Sequence, residues 1–250
     1  MGTGVTEGEL LLAIVIVLAA TIIAGLAGFG LSIVSVPPLL LLFDPGTVIA
    51  LNKILTLGTT WIILVEAWRH ISWRWIARVL PTALVGLFIG SYLLRVLDAE
   101  VIKVIAGVIV ISLALLLLTW QPQELKERPW MAPLIGLASG TSSTSVGMSG
   151  PPLVLFFTVM SVPVQAFRAT AAMYFTALDL VGLPTLISQG SVTGSDLRLA
   201  LMLAPVALFG RALGSRLVRF VSPLAFRRAT LVLLLMTGTM SITTGMLGMM

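Results

Sequence analysis

The 250-residue chain contains no cysteine, which excludes disulfides, thiolate metal sites and cysteine nucleophiles together. Charge is nearly as scarce: Asp, Glu, Lys and Arg make up 10% of the residues, apolar types make up 58%, and mean hydropathy is +1.10. A soluble domain of this length needs a charged surface to stay dispersed. These few charges sit in short islands between long apolar runs, so lipid is the solvent for most of the surface. The single histidine, His70, lies in a basic loop; no metal site, no cofactor and no Ser–His or His-Glu-x-x-His hydrolase is expected from it. Basic residues are absent before Lys53, and Glu7 and Glu9 precede the apolar run that starts at Leu10. A secretory signal would carry a basic leader, so this run reads as a retained first helix. The net charge of +5 and pI near 10.4 come from arginines at segment ends, not from one basic face, so nucleic acid is not an expected partner.

What the chain does have is apolar length. About 20 apolar residues span a bilayer, and six stretches, 46–67, 75–95, 101–120, 164–188, 197–217 and 226–248, read as single spans. Two more, 10–43 and 131–160, are too long for one span. Each is interrupted by small residues followed by a double proline: Gly25 to Gly30 then Pro37-Pro38, and Gly136 to Ser145 then Gly150-Pro151-Pro152. Both read as broken helices. The fold class is an all-α polytopic membrane protein with eight full spans, or ten membrane segments if the broken stretches are hairpins.

Pro81–Arg95 (PTALVGLFIGSYLLR) and Pro205–Arg219 (PVALFGRALGSRLVR) are identical at eight of fifteen positions, including Pro81/Pro205, Gly86/Gly210, Gly90/Gly214, Ser91/Ser215 and Arg95/Arg219. Shared hydrophobicity does not align a proline, two glycines, a serine and an arginine. The chain reads as two homologous halves, 1–122 and 129–250, joined by a linker at 123–128. With the broken stretches as hairpins, the halves are inverted and the basic residues near segment ends sort nine to three: Arg69, Arg74, Arg78, Lys126, Arg128, Arg216, Arg219, Arg227 and Arg228 against Arg95, Lys103 and Arg198. With single crossings they divide evenly. Basic loops face the cytoplasm, which puts this chain in a cell inner membrane with both termini outside. Inverted repeats with broken helices are a recurring plan of secondary transporters.

Charges inside apolar segments are costly and mark function. Lys53 and Arg168 are two such cations. Laying Ala50 on Ala166 sets Asn52 opposite Arg168 with Lys53 one place further, which predicts an anion site at the repeat interface with Asn52 as a neutral donor. Thr141, Ser142, Ser143, Thr144, Ser145 and Ser149 crowd the second break and offer further donors, Thr141, Ser142, Ser145 and Ser149 being the substrate-binding candidates. Asp179 is the candidate for a coupling proton, or for a partner of Arg168. Expected partners are a small anion, membrane lipids and protons as the coupling ion; a homodimer is compatible with the sequence. A carrier, an anion channel and a membrane-embedded enzyme or scramblase remain open on these residues, although the enzyme lacks any recognisable catalytic constellation.

The glycine-rich broken segment ending in Pro-Leu (Gly25 to Leu39), the helix start at Ala50, the Pro…Gly-x-x-x-Gly-Ser segment (Pro81 to Ser91) and their recurrence in the second half resemble the TauE/SafE sulfite exporter family, also called TSUP transporters. The resemblance implies transport of sulfite, sulfoacetate or another organosulfonate, with no enzymatic activity. It marks Gly28, Gly30, Pro37, Pro38, Gly150, Pro151 and Pro152 as the signature breaks. The family's usual glycine-rich run in the second half is replaced by Thr141 to Ser145, which suggests a different anion.

Overall fold

The computed structural model describes residues 6–27, 30–119, 128, 130–217 and 223–249. Gly28, Lys126, Arg219 and all of the 123–128 linker except Arg128 lie outside the described residues, as do the side chains of Arg227 and Arg228.

Helices account for nearly everything described: α1 (Glu7–Ala27), α2 (Leu31–Leu39), α3 (Pro45–Ala67), α4 (Trp73–Val96), α5 (Ala99–Thr119), α6 (Met131–Ser145), α7 (Gly150–Val159), α8 (Val164–Ser188), α9 (Gly194–Leu217) and α10 (Pro223–Gly248), with one 3-10 turn at Trp68–His70. Among the described residues, six helices are long and apolar enough to cross a membrane. Local chemistry sets several starts. Thr6 and Glu9 form a reciprocal capping box, the Thr6 N–H donating to Glu9 Oε2 at 2.8 Å and the Glu9 N–H to Thr6 Oγ1 at 3.3 Å. Thr193 and Asp196 cap α9 in a related way, and Asp196 also accepts from Thr47 Oγ1 at 2.6 Å, tying α9 to α3.

Both long stretches are broken into two helices, but not where the prolines alone would place the interruption. The first break ends at Gly30, whose φ of +98° suits a residue without a Cβ. Pro37 and Pro38 lie inside the last turn of α2, which ends one residue later. The second break, 146–149, turns at Gly147 with φ +82°. Pro151 and Pro152 then occupy the first turn of α7, where a missing N–H costs nothing. The two double prolines therefore act at opposite ends of their helices.

Each broken stretch enters and leaves at one end of the molecule. Glu9 at the head of α1 and Phe43 and Asp44 after α2 line one polar vestibule of about 780 Å³, together with Arg95, Lys103 and Asp196. The α6–α7 pair opens at the opposite end. There the ring of Trp75, at the start of α4, meets Phe156 and Phe157 near the end of α7 at centroid distances of 5.1 and 6.3 Å.

The halves pack by exchange. α1 lies along α9 and α6 along α4. Gly86 and Gly90 of α4 face the backbone of Leu137 and Thr141, and Gly136 and Gly140 of α6 face that of Val79 and Ala83. On the other side Gly214 faces Ile22, Gly210 faces Thr21, and Gly25 faces Arg211 and Gly214. A Cβ would overlap main-chain atoms at these glycines, except at Gly210, where it would meet the Thr21 hydroxyl, so the small-residue faces are what allow the helices to close. Gly58, exposed in mid-α3, has no such neighbour. Gly90→Ala is therefore expected to lower the thermal unfolding temperature in detergent by the equivalent of about 1–3 kcal/mol. Gly58→Ala is expected to hold or raise stability by up to about 1 kcal/mol. Equal effects of the two would contradict the close packing of α4 on α6.

Candidate functional site

The site is built on the crossing of α3 and α8. These helices run antiparallel: Thr60 and Thr176 meet through their hydroxyls at 3.0 Å, while Lys53 reaches Asp179 on one side of that crossing and Thr170 accepts from the Ser72 N–H on the other. Thr60 and Thr176 are themselves 116 positions apart, the separation that sets Ala50 on Ala166.

That register corrects the expected convergence of Lys53 and Arg168. Lys53 lies seven residues before Thr60 and Arg168 eight before Thr176, so on antiparallel helices they fall on opposite sides of the crossing. The separation is fifteen residues of rise, about 22 Å. Only residues near the crossing meet their equivalents.

Lys53 instead pairs with Asp179. Its Nζ stands 2.8 Å from Asp179 Oδ1 and donates to Ser143 Oγ at 3.0 Å. Both partners are buried, at 3% and 5% exposure. Gly182, one turn beyond Asp179 on α8, makes room for the ammonium, because a Cβ there would stand 2.9 Å from Nζ. Isolated charges in such a place would carry a desolvation cost of several kcal/mol each, which their pairing offsets.

The pair forms one wall of a cavity of about 40 Å³, room for only a few water molecules. Gly30 and Ser32 line it from the first break, Gly147, Ser149 and Gly150 from the second, and Thr56, Thr59 and Thr60 from α3. Asn52 lines it too, its Nδ2 donating to Val48 O at 3.0 Å and its Oδ1 accepting from Ser35 Oγ at 2.7 Å. Arg211 of α9 completes the lining at 4% exposure, within electrostatic reach of Arg168 and Glu66.

Of the expected site residues, Asn52, Lys53, Ser149, Asp179, Gly30 and Gly150 line this cavity, and Pro37, Pro38, Pro151 and Pro152 do not. Arg168 is also outside the lining; its Nε is buried without a hydrogen-bond partner. The hydroxyl run is largely spent on its own helix: Ser142 Oγ donates to Ala138 O at 2.9 Å and Ser145 Oγ to Thr141 O at 2.7 Å, and Thr144 Oγ1 bonds Leu87 O of α4 at 2.7 Å. Thr141 faces the glycines of α4. Sequence reasoning missed Arg211 as a lining residue. The signal was present in the repeat alignment, where Arg211 stands opposite Leu87, an arginine in place of an apolar residue in otherwise matched segments.

Residues 12–241 match the family described as "Sulfite exporter TauE/SafE". The chain belongs to the TauE/SafE family. It is therefore a multi-pass membrane protein of a transporter family and not an enzyme. Among curated relatives, it is 28% identical over 234 residues to a probable sulfite/organosulfonate exporter TauE of Cupriavidus necator, covering 88% of each chain. It is 26% identical over 172 residues to a probable inner membrane transporter protein TsaS of Comamonas testosteroni, covering 68% of this chain and 72% of the relative. No solved structure matches the chain.

The ion pair makes a direct energetic prediction. Lys53→Ala or Asp179→Ala alone leaves an uncompensated buried charge and should cost about 3–5 kcal/mol. The double variant should recover most of that loss. Thermal unfolding of the three variants in detergent checks it; single losses that simply add in the double variant would show the charges to be independent.

Proposed function

We propose that this chain is a secondary transporter that carries a small sulfur-containing anion, sulfite or an organosulfonate such as sulfoacetate, across the cytoplasmic membrane. The anion binds in the cavity between the broken helices, near the bilayer midplane. The observation that carries this reading is the charge lining that cavity: Lys53 and Arg211 against Asp179, two cations to one carboxylate, among serine and threonine hydroxyls, the Asn52 amide, glycines and a few apolar side chains such as Phe175. Such a lining suits a small oxyanion with several acceptor oxygens. The name of the Cupriavidus necator relative supplies the sulfur chemistry.

In this reading residues 1–122 and 129–250 are inverted repeats joined at 123–128. The exchanged packing of α1 on α9 and α6 on α4, the hairpins opening at opposite ends and the Thr60–Thr176 contact all support it. Lys53 is eight residues into α3, about 12 Å from its start and so near mid-bilayer. The basic residues of the α3–α4 turn mark the cytoplasmic side, and the vestibule with Glu9 and Asp44 marks the outer one. Arg168 lies on the cytoplasmic approach. Asn52, Lys53, Ser143, Ser149 and Arg211 are the binding residues. Protons are the coupling ion.

Purified protein in liposomes should take up labelled sulfite or sulfoacetate with saturation, and Arg211→Gln should lower kcat/KM at least tenfold at equal reconstitution. Flux that rises linearly without saturation would make the protein a channel. Failure to move sulfite, sulfoacetate, thiosulfate or sulfate would remove the sulfur-anion reading.

A further inference from the structure

Asp179 occupies the one place on Lys53 that a transported anion most needs. The ammonium has three N–H donors. Ser143 and Asp179 take two of them, and the Lys53–Asp179 bond forms a wall of the cavity where the broken helices meet. Ionisable groups facing Asp179 are few. Lys53 comes from α3 and Arg211 from α9, and Tyr174 of its own helix lies within electrostatic reach while donating to Ser139 Oγ at 2.9 Å. Among the described residues, α2, α6 and α7 contribute only Ser32, Ser143 and backbone or apolar groups, and α4 contributes Leu87.

A second anion entering this cavity meets a carboxylate already seated on the cation. Two anions sharing one ammonium in a dry site push the more basic of them to protonate. A sulfonate or a bisulfite monoanion is a far weaker base than a carboxylate, so the proton goes to Asp179. We propose that Asp179 is a tethered stand-in for the substrate, so that each anion bound at Lys53 displaces its carboxylate, which takes up one proton, and the two cross together. With no substrate, the Lys53–Asp179 pair closes and the empty carrier reorients without exposing a bare charge to the bilayer. The coupling is one proton for one anion, in whichever direction the gradients drive it. This rests on the anion site proposed above and specifies how that site is coupled.

Methanesulfonate is a suitable probe because its sulfonate is its one ionisable group and stays ionised near neutral pH, so any proton that appears belongs to the protein; sulfoacetate carries a carboxylate of its own, as basic as that of Asp179. Titration calorimetry of the wild-type protein in buffers of different ionisation enthalpy is expected to show close to one proton taken up per methanesulfonate bound at pH 7 to 7.5. Binding without proton uptake overturns the proposal while leaving the anion site intact. In liposomes with the membrane potential clamped, an inward proton gradient should speed wild-type methanesulfonate uptake several-fold. Asp179→Asn should still exchange methanesulfonate, with that stimulation lost. A variant that keeps the stimulation overturns the role of Asp179. Absence of any methanesulfonate or sulfoacetate binding to the wild type overturns the anion reading itself, and the coupling with it.

Discussion

Everything near the centre of this molecule answers to one constraint: an ammonium and a carboxylate, 2.8 Å apart, are buried where each depends on the other as its partner. The cost of separating them is several kcal/mol in a low-dielectric interior. That cost makes the relative position of α3 and α8 hard to alter unless something else replaces one member of the pair. Ser143 supplies a further acceptor from the opposing hairpin, and the absence of a side chain at Gly182 leaves space for the ammonium. In the proposed coupling an anion of the right size replaces Asp179, which would set the site of transport at the structural core.

The glycine faces determine where that pair is placed. With backbone packed on backbone, α6 is held against α4 and α1 against α9. Each hairpin is thus fastened to the long helix of the other half, and its break points at the centre. Gly30 and Gly147, the positive-φ glycines of the two breaks, accordingly line the same cavity although they are far apart in sequence.

Much of the fold was legible in the residues. The expected spans 46–67, 75–95 and 164–188 correspond to Pro45–Ala67, Trp73–Val96 and Val164–Ser188, because helices in lipid are set by apolar length and by strong local punctuation such as Asp44-Pro45 and Pro163. The two overlong stretches were recognised as broken for the same reason. The positions of the breaks were less legible: prolines are tolerated in a first turn and near a last one, so Pro37-Pro38 and Pro151-Pro152 do not mark equivalent points. The pairing of charges was not legible at all. Lys53 and Asp179 are 126 positions apart, and their contact depends on the antiparallel register of α3 and α8. Matching Asn52 with Arg168 set aligned positions opposite each other and took alignment for proximity. The hydroxyls of Thr141 to Ser145 misled in another way, since in an apolar setting most such groups bond their own helix backbone.

The central claim is that a small anion competes with Asp179 for Lys53 between the two breaks. The most direct measurement is an experimental structure of the protein with a sulfonate bound. The account predicts sulfonate oxygens within hydrogen-bond distance of Lys53 Nζ and the Arg211 guanidinium, with the Asp179 carboxylate withdrawn from Nζ. A sulfonate held elsewhere, for instance in the vestibule beside Arg95 and Lys103, with the Lys53–Asp179 bond intact, would contradict it.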